Sequence, residues 1–320
     1  MFSLRFYRRF GLFILLLSYS SDINGWGFFA HREINEKAVY TLPPGMIGFY
    51  KRYIAIIRER AVNADKRRSI VPGEAPCHYI DMEYYGDVPS CYWGDAVVAY
   101  SSEMLDSHGI LPWNVYRVMC RLTHAFEKGE DVELILRLSA DLGHYVADAH
   151  VPLHTTENYD GQLTDQRGIH GLWESRLPEL FSDGYDFFVG KPVYITEPQI
   201  TIWRVVWSSH ALAKRVLALE KRLQQEYKCA RKSFEKRGTR VSKVYARAYA
   251  RAYHNLLCNM VEERMRASIH MVASVWYTCW VNGGSPNLDV LCKKGVSKKK
   301  LQKIQLHKGK KKLQVRVCPE

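Results

Sequence analysis

The stretch GHYVADAHVPLH, residues 143–154, places three histidines and an aspartate in an otherwise apolar run. Upstream, Asp131 is a good N-cap, and downstream Pro152 cannot continue a helix. The pattern predicts a buried helix over Asp131–Ala149. His144 and Asp148 are four apart, so both side chains stand on one face of it. His170 and Glu174 repeat that spacing on a second predicted helix. His154 follows Pro152, where the chain must turn and can point the ring back. Buried imidazoles and carboxylates each carry a heavy desolvation cost unless compensated. A metal ion held by nitrogen and oxygen ligands explains them together.

The other periodic segments are helical too. His31–Leu42, Ile47–Val62, Trp113–Phe126, Gln199–Tyr227 and Val244–Trp280 carry apolar residues three and four apart. Residues 63–100, rich in Pro, Gly and Tyr, and residues 155–169 read as polar connections. There is no internal repeat and no alternation of strand and helix. The expected fold is one all-α, multi-helix domain over residues 26–285.

Both ends read differently. Arg5, Arg8 and Arg9 precede a short apolar run, Phe10–Leu17, and then small or polar residues. Residues 1–25 therefore read as an export signal cut before Trp26, which places the mature protein in the periplasm or outside the cell. The apolar run is too short to span a bilayer comfortably. Export makes the eight cysteines possible disulfide partners, with connectivity left open. Cys120 and Cys258 lie in helical patterns, where buried free thiols are the alternative.

The net charge of +13 is unevenly placed. Residues 291–320 hold ten lysines, one arginine and one glutamate, a net of +10, and the signal region adds +2. Only +1 is left for residues 26–290, so the body does not read as a nucleic-acid-binding surface. Residues 286–320 read as a flexible basic tail able to touch anionic lipid or nucleic acid.

The order Trp26, His31, Asp65, His78, His144, Asp148, His154, His170, Glu174 resembles the zinc-dependent phospholipase C and S1/P1 nuclease superfamily. HYVADAHVPLH is very similar to the His-x-x-x-Asp-x-His-x-Pro-x-His segment of that superfamily. The resemblance runs from Trp26 to about Glu174 and implies an all-helical fold with three zinc ions in one cleft. It implies that Asp65, His78, His144 and Asp148 hold one ion. His154, His170 and Glu174 would hold a second and leave a position open. His31, Asp148 and the free amino group and carbonyl of Trp26 would hold the third, so that signal cleavage itself creates a ligand. Asp81, three past His78, competes with Asp65. His150 falls off the His144/Asp148 face and reads as structural, and the remaining histidines as packing or surface groups.

The chemistry implied is hydrolysis of phosphodiesters, with Asp65 orienting or deprotonating the attacking water. Arg67 or Arg68 is a candidate phosphate contact. Glu174, where the nucleases usually have aspartate, and the short His154–His170 gap resemble the phospholipases C; the short Trp26–His31 step resembles the nucleases. Phospholipid is the first expected substrate and single-stranded nucleic acid the alternative. The latter needs an aromatic platform, for which Tyr84, Tyr85, Tyr92, Trp93 and Tyr159 are candidates. A non-catalytic, zinc-stabilised binding protein is the third expectation.

Overall fold

The computed structural model describes residues 27–86, 89–237 and 239–294. Residues 1–26, among them the expected signal and Trp26, and the residues beyond 294 lie outside them.

The chain is all-α apart from one hairpin. α1 (Phe28–Thr41) leads into α2 (Pro44–Arg52) and α3 (Ile54–Arg60), then the short α4 (Asn63–Arg67). After two 3₁₀ turns, Ala75–His78 and Met82–Tyr84, come α5 (Trp93–Ala99) and α6 (Ser102–His108). Two long core helices follow, α7 (Leu111–Glu127) and α8 (Val132–Asp148). A 3₁₀ turn, Pro152–Thr155, leads to a short helix, α9 (Ile169–Gly171), which widens into a π-turn, Leu172–Arg176, and continues as α10 (Leu177–Phe181). Next is the longest helix, α11 (Pro198–Glu226). β1 (Lys232–Arg237) and β2 (Arg240–Tyr245) form an antiparallel hairpin. α12 (Arg247–Leu257), α13 (Met260–Asn282) and α14 (Leu288–Lys294) complete the described chain.

The core lies where α1, α7, α8 and α13 meet. Trp173, Trp203 and Trp276 are fully buried. Tyr50 stacks on Trp276, with ring centroids 5.0 Å apart, and pairs with the Ser139 hydroxyl at 2.9 Å. The Trp276 indole N–H donates to the Ser139 carbonyl at 2.9 Å. The polar atoms of Tyr50, Ser139 and the Trp276 indole thus all have partners, as burial demands. Gly143 lies against the Asn35 side chain, and any Cβ there would clash with it. The missing side chain lets α8 close on α1 beside His144.

Several boundaries differ from the sequence expectations for identifiable reasons. α8 starts where Asp131 was expected to cap it, and the Asp131 carboxylate accepts the Glu133 N–H at 3.1 Å. Ile47–Val62 is broken by a turn at Tyr53, so that Phe49 and Ile57 both reach the core. Val244–Trp280 is strand, then two helices. The break between the helices falls at Cys258, whose φ of 55° lies in the left-handed region. The hairpin over Lys232–Tyr245 was not expected; its alternation was masked by charge. Packed structure also passes residue 285, because Leu288 and Leu291, three apart on α14, are buried and α14 packs on α2.

Cys77, Cys91, Cys120, Cys229, Cys258 and Cys279 are free, and Cys120 and Cys258 are exposed rather than buried. Among the described residues no helix is long and apolar enough to cross a membrane.

Candidate metal centre

Eight of the nine candidate ligands converge, and all eight are buried, between 0 and 7% exposed. Trp26, the ninth, is outside the described residues, but its neighbour is informative: the Gly27 N–H donates to the Glu174 carbonyl at 3.2 Å. The chain therefore emerges beside the ligand cluster at its N-terminal end.

α1 supplies His31, α4 Asp65, and the first 3₁₀ turn His78. The C-terminal half of α8 supplies His144 and Asp148. The turn after Pro152 supplies His154, and the α9–π segment His170 and Glu174. The carbonyl end of α8, the negative end of its dipole, lies at Asp148; both favour a cation.

Three groups form: His31/His144/Asp148, Asp65/His78/His144 and His154/His170/Glu174. Asp148 joins the first two. Its Oδ1 lies 3.3 Å from His31 Nε2, while its Oδ2 lies 2.9 Å from His78 Nδ1 and 3.2 Å from His144 Nε2. Asp65 Oδ1 is 3.6 Å from His144 Nε2 and 3.8 Å from His78 Nδ1. In the third group, Glu174 Oε2 is 2.8 Å from His170 Nε2 and 3.4 Å from His154 Nε2. Two ligands each about 2.1 Å from a tetrahedral ion stand about 3.4 Å apart, and these separations scatter around that value.

Three observations test whether the residues fit a metal. The first is protonation. His144 Nδ1 donates to the Ala61 carbonyl at 2.7 Å, His154 Nδ1 to the His78 carbonyl at 2.5 Å, and His170 Nδ1 to the Tyr159 carbonyl at 3.1 Å. A carbonyl only accepts, so each Nδ1 carries a proton, and in the neutral, metal-binding form of each ring the Nε2 lone pair points inward. His154 Nε2 and His170 Nε2 face each other at 3.1 Å, and when both rings are neutral the contact is lone pair to lone pair. A cation between them removes the repulsion.

The second is unpartnered atoms. Both nitrogens of His31, both oxygens of Asp65, Asp148 Oδ1 and Glu174 Oε1 are buried without a hydrogen bond. Native proteins rarely leave such groups unmet unless an ion or water meets them.

The third is charge. Burial pushes the Glu174 carboxyl up to about 8 and the His170 imidazole down to about 4. A divalent ion reverses the first tendency and binds the neutral form favoured by the second. Asp148 and His144 are the exceptions: burial acts to raise Asp148 and to lower His144, but His144 and His154 hold Asp148 well below the usual carboxylate range, and Asp148 and Asp65 push His144 up to about 9.

Supporting residues not anticipated from the sequence surround the groups. His78 turns its other nitrogen toward Glu74 Oε1, 3.8 Å away. Glu74 also accepts the Tyr145 hydroxyl and Arg67, the latter at 3.1 Å, and Arg67 reaches Asp141 at 3.2 Å. Burial acts to raise the Glu74 carboxyl, but His78, Tyr145 and Arg67 outweigh it and hold it at about 2. Glu74 therefore orients His78 as an anion. Its spacing of four from His78 was visible, but Pro76 between them removed the helical frame that gives such spacing meaning. Glu74→Ala is expected to weaken metal binding about 10–100-fold with the fold retained, measured by competition with a chelator.

Asp65, not Asp81, joins His78. Asp81 instead pairs with His108 Nδ1 at 3.2 Å, and His108 stacks on Tyr84. His150 is buried, donates from Nδ1 to the Val146 carbonyl at 2.8 Å and lies outside all three groups. Its carbonyl accepts Arg264 at 2.8 Å, a structural role.

A cavity of about 230 Å³ opens on the third group, with His154 and His170 in its wall. Arg68, Tyr79, Asp81, Glu157 and Tyr159 also line it. Of the two candidate arginines, Arg68 lines the cavity, whereas Arg67 pairs with Glu74 and Asp141. Of the candidate platform aromatics, Tyr159 lines it, whereas Tyr85 is buried against Trp113. A larger groove lined by Tyr40, Phe187 and Phe188 contains no candidate ligand.

No protein-family model and no curated protein matches the chain. Its chemistry is therefore read from these residues and their geometry.

Proposed function

We propose that the protein is an exported, zinc-dependent hydrolase of phosphodiesters, of the phospholipase C type, related to the zinc-dependent phospholipase C and S1/P1 nuclease superfamily. One observation carries this: eight buried histidines and carboxylates leave inward-facing atoms without partners, and they meet a cavity through His154 and His170. A set of imidazoles and carboxylates, with no thiolate, suits zinc in an oxidising compartment. Zinc at these positions supplies acidified water and neutralises charge on phosphoryl oxygens.

The chain's own residues do the rest. Asp148 divides its two oxygens between two groups and fixes their separation. Asp65, both of whose oxygens are unpartnered, orients the attacking water or takes its proton. Arg68 on the cavity wall holds a phosphate oxygen. An ion held by the three side chains of the third group would keep a coordination position for substrate, the mark of a catalytic rather than a closed structural site. This speaks against a purely structural role for the metal.

Phospholipid is the favoured substrate, from Glu174 and the nearly neutral body. Single-stranded nucleic acid is the alternative, favoured by the Tyr79 and Tyr159 side chains lining the cavity. The deciding experiment assays the purified mature protein on phosphatidylcholine beside single-stranded DNA and RNA, with and without chelator. Chelator-sensitive release of phosphocholine supports the proposal. Cleavage of nucleic acid alone moves the assignment to the nuclease branch, and chelator-insensitive or absent turnover on all three rejects it.

The basic tail is not needed for this chemistry, since all candidate ligands lie at or before Glu174. Because α14 packs, the cut belongs after residue 294. Removal of residues 295–320 is expected to leave turnover of a small soluble phosphodiester within about twofold of the full chain. A loss of tenfold or more shows that the tail belongs to the folded unit.

A further inference from the structure

The hairpin is the one strongly basic element of the described body. Residues 228–247 hold eight lysines and arginines against one glutamate, a net of +7. Its two faces are unlike. The strand register pairs Phe234 with Lys243 and Lys236 with Val241, so these four share a face. Toward the tip that face is turned to solvent, with Phe234 72% and Val241 69% exposed beside exposed Lys236 and Lys243, while at its base the same face carries the buried Tyr245. The opposite face holds the only carboxylate, Glu235, which pairs with Arg176. Arg176 also donates from Nε to the Tyr245 carbonyl at 3.1 Å. The Tyr245 hydroxyl donates to the Arg167 carbonyl at 3.4 Å, in the loop that leads to His170. The hairpin is thus clamped to the segment that carries two candidate ligands, and it presents outward an aromatic ring and a branched aliphatic among lysines.

We propose that the outer face of this hairpin docks the protein on an anionic lipid surface, with Phe234 and Val241 entering the interface and Lys236 and Lys243 among the headgroups. Exposed apolar side chains framed by lysines suit a boundary that is negative outside and apolar beneath. Val241 decides against single-stranded nucleic acid as the occupant, because it has no flat face on which a base can stack. The inference deepens the phospholipase reading by naming the surface on which the cavity works. Its test reads binding alone, so its failure and that of the hydrolase assignment are distinguishable.

The experiment sediments the full chain with vesicles of phosphatidylcholine containing phosphatidylserine, at about 0.15 M and 0.5 M salt. Phe234→Ser/Val241→Ser and Lys236→Ser/Lys243→Ser are compared with the wild type after their unfolding midpoints are shown to match it. All four positions are exposed, so the variants are expected to fold. The basic tail is common to all three proteins and cancels. Each double variant is expected to lower the vesicle partition coefficient at 0.15 M salt at least fivefold. At 0.5 M salt, where attraction by charge alone is screened, the wild type is expected to stay bound better than Phe234→Ser/Val241→Ser. Partitioning within twofold of wild type for both variants overturns the proposal. So does loss of binding to a single-stranded oligonucleotide with vesicle binding unchanged.

Discussion

Asp148→Ala is expected to release metal from two groups at once and to reduce hydrolysis at least about 10³-fold, the largest effect of any single substitution in the chain. The other candidate ligands act more locally. Asp148 is fully buried, at the carbonyl end of α8, with Oδ1 toward His31 and Oδ2 toward His78 and His144. Its removal leaves three inward-facing imidazoles without the anion that holds them together. Metal content by mass spectrometry and turnover on a soluble phosphodiester check both parts. His150→Ala is the control, two residues away in sequence but bonded to the Val146 carbonyl and outside the groups. It is expected to lose stability while keeping its metal. A dead His150→Ala beside an active Asp148→Ala places the ligands on the wrong face of the segment.

The second large effect concerns the N-terminus. One extra residue before Trp26 is expected to remove one metal ion and most of the rate, whereas Trp26→Phe keeps measurable activity. The geometry of the described residues motivates this. The His31/Asp148 group draws its remaining side chain, His144, from the neighbouring group, and both His31 nitrogens are buried without a hydrogen bond. Gly27 is hydrogen-bonded to the Glu174 carbonyl, beside the ligand groups. A free amine is a metal ligand; an extra residue converts it to an amide, which is a poor one. Phe at position 26 retains the amine and carbonyl and loses only the indole's packing. N-terminal sequencing comes first, because a cut elsewhere voids the comparison. Full activity in a protein with a verified extra residue rules out the metal position at His31 and Asp148 as drawn.

What could be read from the sequence followed the strength of local signals. α7 and α8 emerged almost to the residue, because an N-terminal proline and an N-cap aspartate mark their starts and their apolar spacing is regular. His144 with Asp148, and His170 with Glu174, were legible because helical spacing converts sequence distance into a shared face. Asp65 and His78 lie on short turns within a stretch with no periodicity, so sequence alone left Asp65 and Asp81 in competition. The packing of α4 against α8 decided it. Glu74 was hidden for the same reason. The hairpin was hidden by composition: its outward face alternates lysine with Phe234 and Val241, so its apolar residues are too few to show a strand period. The supporting carbonyls of Ala61, His78 and Tyr159 have no sequence signature at all, since every residue has one.

Metal content is the most direct test of the whole scheme. The mature protein, beginning at Trp26 and dialysed at neutral pH against metal-free buffer, is weighed under native conditions and its metal identified by inductively coupled plasma mass spectrometry. Three zinc ions per chain are predicted, falling to none in chelator with loss of all turnover. A correctly folded, correctly processed protein that holds no tightly bound metal contradicts the metal centre and every function built on it.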